Sequence, residues 1–314
     1  MKENIGGYFE LESLVNNPYH KNAIQLNSAR NALLYVIKSK KIKKIYTPYY
    51  MCDSIDFISN YCQREYYDID DKFLPMLNKK MSEDEYIYVV NYFGIIDNEL
   101  ILKLKEKYIN IIIDNVQAFF QKPVNTVDTI YSCRKFLGVT DGAYLYTNNI
   151  LNETLKNDES KDRYEYVLGR LETSPQEHFE EYRKNEELLN KLELMNMSKT
   201  TKTLLGAFDY EKIKNARTIN FKYLNNNLMN INKLKLKNIE GAFAYPLYIN
   251  DATILRKELI KNNVFIPTLW PNVISDNKSK KACDLAKNIL VLPCDQRYTV
   301  DEMNKIIKII KEKI

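Results

Sequence analysis

The chain has 314 residues, 45% apolar and 28% charged, enough to bury a sizeable core in one large domain with an appendage or in two domains, and it excludes extended disorder. Its net charge of +5 comes from 46 basic and 41 acidic residues that are well interspersed, which argues against nucleic acid as a partner; KSKKIKK (38–44) and NKSKK (277–281) read as solvated helix ends. The absence of any apolar run of about 18 residues excludes a membrane span; five cysteines without a CxxC and a supply of two histidines, His20 and His178, exclude a zinc site and most histidine chemistry.

The thiols read as reduced, which points to the cytoplasm, and MKENIGGYFELES lacks the apolar core of a signal peptide. In chain order, 27–40 predicts a helix with a Ser or Asn cap, and 43–50 a short strand stopped at Pro48. A helix over 53–62, strands over 64–70 and 85–94, a helix over 97–108 and a strand over 110–115 follow. Such alternation with short loops favours a parallel sheet with helices on both faces, where ligands bind at the carboxyl ends of strands. Tyr49, Tyr50, Asn91, Asp114 and Gln117 fall at or just past such ends. Residues 151–235 are helical and charged. The tail reads as strands over 241–249 and 263–271, a helix over 251–262 and a closing helix over 300–314. The expected organisation is a large domain over 1–235 and a small α+β domain over 236–314.

The segment IIIDNVQAFF (111–120) is a buried strand that ends on a carboxylate, Asp114. Lys135 follows in YSCRKFLGVTDGAYLYT (131–147), in a turn that leads to a Gly-Ala strand. An acid at a strand end and a lysine shortly downstream suit a pyridoxal phosphate enzyme. The acid keeps the pyridinium nitrogen protonated, and the lysine carries the aldehyde as a Schiff base. Alone, Asp114 would read as a strand-end Asx turn and Lys135 as a surface lysine.

Around this pair the chain resembles the DegT/DnrJ/EryC1/StrS family of fold-type-I pyridoxal phosphate enzymes, mostly sugar-nucleotide aminotransferases. The resemblance rests on IGGYFELE (5–12), LNSARNAL (26–33), TPYYMCDSI (47–55), VVNYFGIID (89–97), the Asp-x-x-Gln of IIIDNVQAF and LVLPCDQRYTVDEM (290–303), in the family's order. It implies a three-layer α/β sandwich with a mostly parallel sheet, and a homodimer whose sites lie between subunits. It also implies that Asp114 bonds the ring nitrogen and that Gln117 touches the phenolic oxygen. Lys135 would hold the cofactor and then shuttle the proton in transamination. Such a lysine needs a lowered pKa, which burial and the neighbouring Arg134 can supply.

The phosphate would meet backbone N–H groups at a helix start, Ser28, Ala29 and Arg30, with Ser132 as a second hydroxyl; ordinary helix capping is the other reading of Ser28. Arg30 stands where the family has Thr or Ser. Tyr50 is taken as the aromatic lid on the ring, although simple alignment puts Cys52 at that position. Trp270, Arg297 and Tyr298 are candidates for the substrate entrance, with core packing the other reading of Trp270 and surface exposure that of Arg297.

The chain departs from the family in several places. The stretch from Asp114 to Lys135 is shorter, and Ser132 stands closer to the lysine. Gly142-Ala143 replaces Gly-Gly. The segment that would reach into the partner subunit is best matched by 194–206, with Met197 and Ser198. The expected function is an aminotransferase that uses glutamate to aminate a nucleotide-linked keto-sugar for surface polysaccharide, such as lipopolysaccharide. The alternatives are another reaction on the same cofactor, such as a dehydration or amino-acid chemistry, and a non-catalytic relative.

Overall fold

The structure is a computed structural model and describes residues 5–313. Its frame is an eight-stranded sheet. In chain order the first half runs β1 (Ile24–Leu26), α1 (Ala29–Lys40), β2 (Lys44–Pro48), β3 (Gln63–Ile69), β4 (Pro75–Met76), β5 (Glu85–Val90), α2 (Asn98–Lys107), β6 (Ile111–Asp114), β7 (Asp128–Ser132) and β8 (Ala143–Tyr146). The helices α3 (Glu165–Glu172), α4 (Phe179–Leu189), α5 (Lys199–Ala207) and α6 (Tyr210–Leu228) follow. The tail adds β9 (Tyr245–Tyr248), α7 (Ala252–Lys261), α8 (Pro271–Asp276), α9 (Lys280–Asn288), β10 (Ile289–Leu292) and α10 (Val300–Lys311).

The spatial order is β1-β8-β7-β6-β5-β2-β3-β4. Strands β7, β6, β5, β2 and β3 are mutually parallel, whereas β8 and β1 at one edge and β4 at the other are antiparallel. This is the expected α/β architecture with a mostly parallel sheet flanked by helices. All four residues of β6 are buried, as an unbroken Ile-Ile-Ile run at a sheet centre requires. Helix α1 starts at Ser28, whose hydroxyl accepts the Asn31 N–H, and α2 at Asp97, whose carboxylate accepts the Leu100 N–H. Helix α10 opens with a capping box between Thr299 and Glu302.

A second hydrophobic cluster surrounds the antiparallel pair β9–β10. It joins Leu247 and Leu290 to Phe221 and Leu224 of α6, Leu255 of α7 and Ile306 and Ile310 of α10. Helix α6 lies before residue 235, so residues of both expected segments build this core.

Several expectations need correction. The helix expected over 53–62 is a 3₁₀ helix, Asp53–Asn60. Residues 263–271 form no strand: Pro267 lacks the N–H a ladder needs, and the chain runs irregularly to Trp270, which caps α8. Strands β1, β4, β10 and β7 were not anticipated. The last lies partly within the segment read as a turn before Lys135. The strand expected over 85–94 stops at Val90, because Tyr92–Gly94 turns into a short 3₁₀ helix with Phe93 and Gly94 at positive φ. The closing helix expected over 300–314 runs to Lys311, and residue 314 lies outside the described residues.

Candidate active site

The carboxyl ends of β2, β5, β6 and β7 open into one cavity of about 340 Å³. Its wall contains Ser28, Ala29 and Arg30 from the start of α1 and Cys52 beyond β2. Tyr88 of β5, Asp114 and Gln117 at and after β6, Ser132 at the end of β7, and Arg134 and Lys135 in the following turn complete this part of the wall. Trp270 closes another side. The pleat explains the sheet's share. Val90 is paired with Asp114 and Asp114 with Ile130. Residues of matching parity, Tyr88, Asp114 and Ser132, therefore face the same side.

Asp114 is almost fully buried. Its Oδ1 accepts the Val116 N–H at 2.8 Å, and Tyr88 also hydrogen-bonds the carboxylate. Desolvation outweighs these contacts and the charge of Lys135, and pushes its pKa up to about 6. Gln117 Oε1 accepts the Phe93 N–H at 2.8 Å. A backbone N–H can only donate, so this bond fixes the amide orientation and leaves the Gln117 NH₂ as a donor.

Lys135 is exposed, and its side chain lines this cavity. Its pKa is lowered, first by desolvation and then by the charge of Arg134, with Arg30 adding to this and Asp114 opposing it. Arg30 hydrogen-bonds Asn190 Oδ1. Arg134 is ion-paired to Glu186 of α4, and its Nε is buried with no hydrogen-bond partner.

Arg134, Lys135 and Phe243 also line an adjoining cavity of about 790 Å³, along with Tyr166, Arg170 and Arg297. The two spaces meet at the lysine.

The candidates read from the sequence divide accordingly. Ser28, Ala29, Arg30, Asp114, Gln117, Ser132, Lys135 and Trp270 line one cavity. Tyr50 does not. Its ring is buried, 5.2 Å from the Tyr92 ring and 5.1 Å from Trp270, so it backs the wall, and the alignment position Cys52 reaches the cavity instead. Arg297 lines the larger cavity with both ends of its guanidinium held by Asp295, at 2.7 and 2.8 Å. Tyr298 lines neither cavity and packs on the second core. Ser28 both caps α1 and lines the cavity, so its alternative readings are compatible. Tyr88, Glu186 and Asn190 were missed. The parity of β5 against β6 reveals Tyr88 once Asp114 is chosen. Glu186 and Asn190 carry no signal in a uniformly charged helix.

No family model matches the sequence, and no curated protein does. Solved structures do match. The sugar aminotransferase CalS13 from Micromonospora echinospora has a TM-score of 0.63 at 13% identity, over 93% of this chain and 87% of that one. A DegT DnrJ EryC1 StrS aminotransferase from Brucella abortus has a TM-score of 0.61 at 14% identity, over 92% and 85%. NtdA from Bacillus subtilis, with bound cofactor PMP, has a TM-score of 0.65 at 11% identity, over 94% and 74%. The fold is that of the fold-type-I aminotransferases.

In a fold-type-I protein the test is whether this chain's own residues suit the cofactor. They do. Among the described residues no cation is in bonding contact with the buried Asp114 carboxylate, and a pyridinium N–H would supply one. The Gln117 NH₂ is a spare donor. The helix start at Ser28, Ala29 and Arg30, with the Arg134 Nε that has no hydrogen-bond partner, would suit an anion.

Proposed function

We propose that this chain is a pyridoxal phosphate-dependent aminotransferase of the DegT/DnrJ/EryC1/StrS type that aminates a keto-sugar. The observation that carries the reading is the placement of Asp114, Gln117 and Lys135 on one cavity whose other end is a helix N-terminus flanked by arginines. When bound, the cofactor supplies an aldehyde for a primary amine and a protonated ring that withdraws electrons. Asp114 holds the ring nitrogen's proton, and Gln117 orients the ring through its oxygen. Ser28, Ala29, Arg30 and Ser132 bind the phosphate. Lys135 binds the aldehyde and, once released, moves a proton on its Nζ; the lowered pKa favours the free amine relative to a lysine in water.

The nucleotide-linked form of the sugar, glutamate as amino donor, a homodimer and a place in surface polysaccharide synthesis belong to the same proposal. So does the division into domains over 1–235 and 236–314. The larger cavity that meets the first at Lys135 gives room for a bulky acceptor, with Arg170 on its wall. Trp270 stands at the substrate side of the smaller one.

The test is a half-reaction. Protein loaded with pyridoxal phosphate and incubated with glutamate should release one equivalent of 2-oxoglutarate without any sugar. No keto acid from glutamate or any other amino acid, while the cofactor is bound, would favour a dehydration or another chemistry.

A further inference from the structure

Helix α4 carries Glu186, and its C-cap residue Asn190 follows one turn on; each engages an arginine of the cavity wall. Glu186 pairs with Arg134 and Asn190 with Arg30. Arg134 immediately precedes Lys135, and its charge is the strongest electrostatic influence on the lysine amine. Arg134 is largely shielded from solvent, its side chain 16% exposed, so its charge is weakly screened.

We propose that Glu186 is a positioning residue for Lys135, acting through Arg134, whose guanidinium it fixes and whose charge it compensates. Tyr166 hydrogen-bonds the same guanidinium and holds it from another side. The groups that face the Lys135 amine are Arg30 from α1, Cys52 after β2, Asp114 from β6 and Arg134 from its own turn. Asp53 and Tyr88 share the cavity wall. Among these, Arg134 is the cation with a carboxylate partner on another element. Loss of that carboxylate leaves a full positive charge beside the amine and disfavours its protonation. Loss of Arg134 does the reverse. This inference uses the assignment of Lys135 as the reactive amine, but its test does not need the cofactor.

The test measures the amine directly. The full chain, purified without added cofactor, is acylated by trace acetic anhydride across a pH series, and labelling of the Lys135 peptide is read by mass spectrometry. Glu186→Gln should lower the labelling midpoint by about one pH unit, close to a tenfold gain in labelling on the acid side of the midpoint. Arg134→Gln should raise it. Glu186→Gln added to Arg134→Gln should produce no further shift, because the carboxylate acts through the guanidinium. An unchanged midpoint in Glu186→Gln overturns the proposal, as does a shift of equal size with or without Arg134. Should Glu186→Gln fail to fold, an unchanged midpoint in Arg134→Gln overturns it alone. Failure to bind pyridoxal phosphate would sink the functional reading and leave these midpoints where they are.

Discussion

Asp114 at the end of β6 and Lys135 in the turn after β7 face each other across one cavity, close enough that each shifts the other's proton equilibrium. Desolvation acts on the two in opposite directions. It raises the carboxyl and lowers the amine, so both are poised nearer neutrality than in water. Two isolated residue types thus become one site, because strands β6 and β7 are adjacent and parallel.

Asp114→Asn should separate function from stability. Turnover should fall about 10²–10³-fold, since the ring nitrogen loses its anion. The folded pKa is raised to about 6 from 3.8. Its contribution to stability is therefore present below the lower value and is lost as pH rises through 6. Above pH 6 the cofactor-free variant should be more stable than the wild type, by about 3 kcal/mol at most. Denaturant melts at pH 5 and pH 8 check this.

Arg30→Ala should weaken pyridoxal phosphate binding about 10–100-fold, the range of a lost charge-assisted hydrogen bond. Binding of pyridoxal without its phosphate should change little. Equal losses for both ligands would place Arg30 elsewhere than at the phosphate.

His20 is buried, with Nε2 2.9 Å from the Phe119 carbonyl and Nδ1 3.2 Å from the Tyr146 hydroxyl. The carbonyl can only accept, so Nε2 carries the proton and Tyr146 donates to Nδ1. Desolvation lowers its pKa from 6.5 to about 4. The unfolded chain therefore takes up a proton first, and stability falls as pH drops from 6.5 to 4, by up to about 3 kcal/mol. His20→Asn should flatten that part of the pH–stability curve. An unchanged slope would show that another group carries it.

Gly241→Ala should cost about 1–3 kcal/mol. Its φ is +60°, and a Cβ would stand 2.4 Å from Phe120 Cδ2, inside the aromatic cluster behind the Lys135 turn. Gly138→Ala is the control, because its Cβ would meet only Val167 Cγ1 at 3.5 Å. Thermal melts of the two variants should differ clearly.

The parallel centre of the sheet was legible because Ile-rich runs alternate with capped helices. Asp114 and Lys135 stood out because strand, acid, turn, lysine and Gly-Ala strand follow in one order, among segments that resemble one family. The edge strands β1 and β4 were not legible: two or three residues carry no periodicity, and tertiary pairing alone makes them strands. Residues 263–271 misled because β-branched and aromatic residues score as strand, while Pro267 and the lack of a third partner beside β9–β10 decide otherwise. Tyr50 misled because nearness to a strand end does not say which face a side chain takes. Glu186 and Asn190 enter the site only through the packing of α4 against the cavity, which no local pattern encodes.

The most direct test is covalent. Protein mixed with pyridoxal phosphate is reduced with borohydride, digested, and searched by mass spectrometry for a phosphopyridoxyl group. The expected result is attachment at Lys135, lost in Lys135→Ala. No attachment, or attachment that persists in Lys135→Ala, would contradict the assignment of this cavity as the cofactor site.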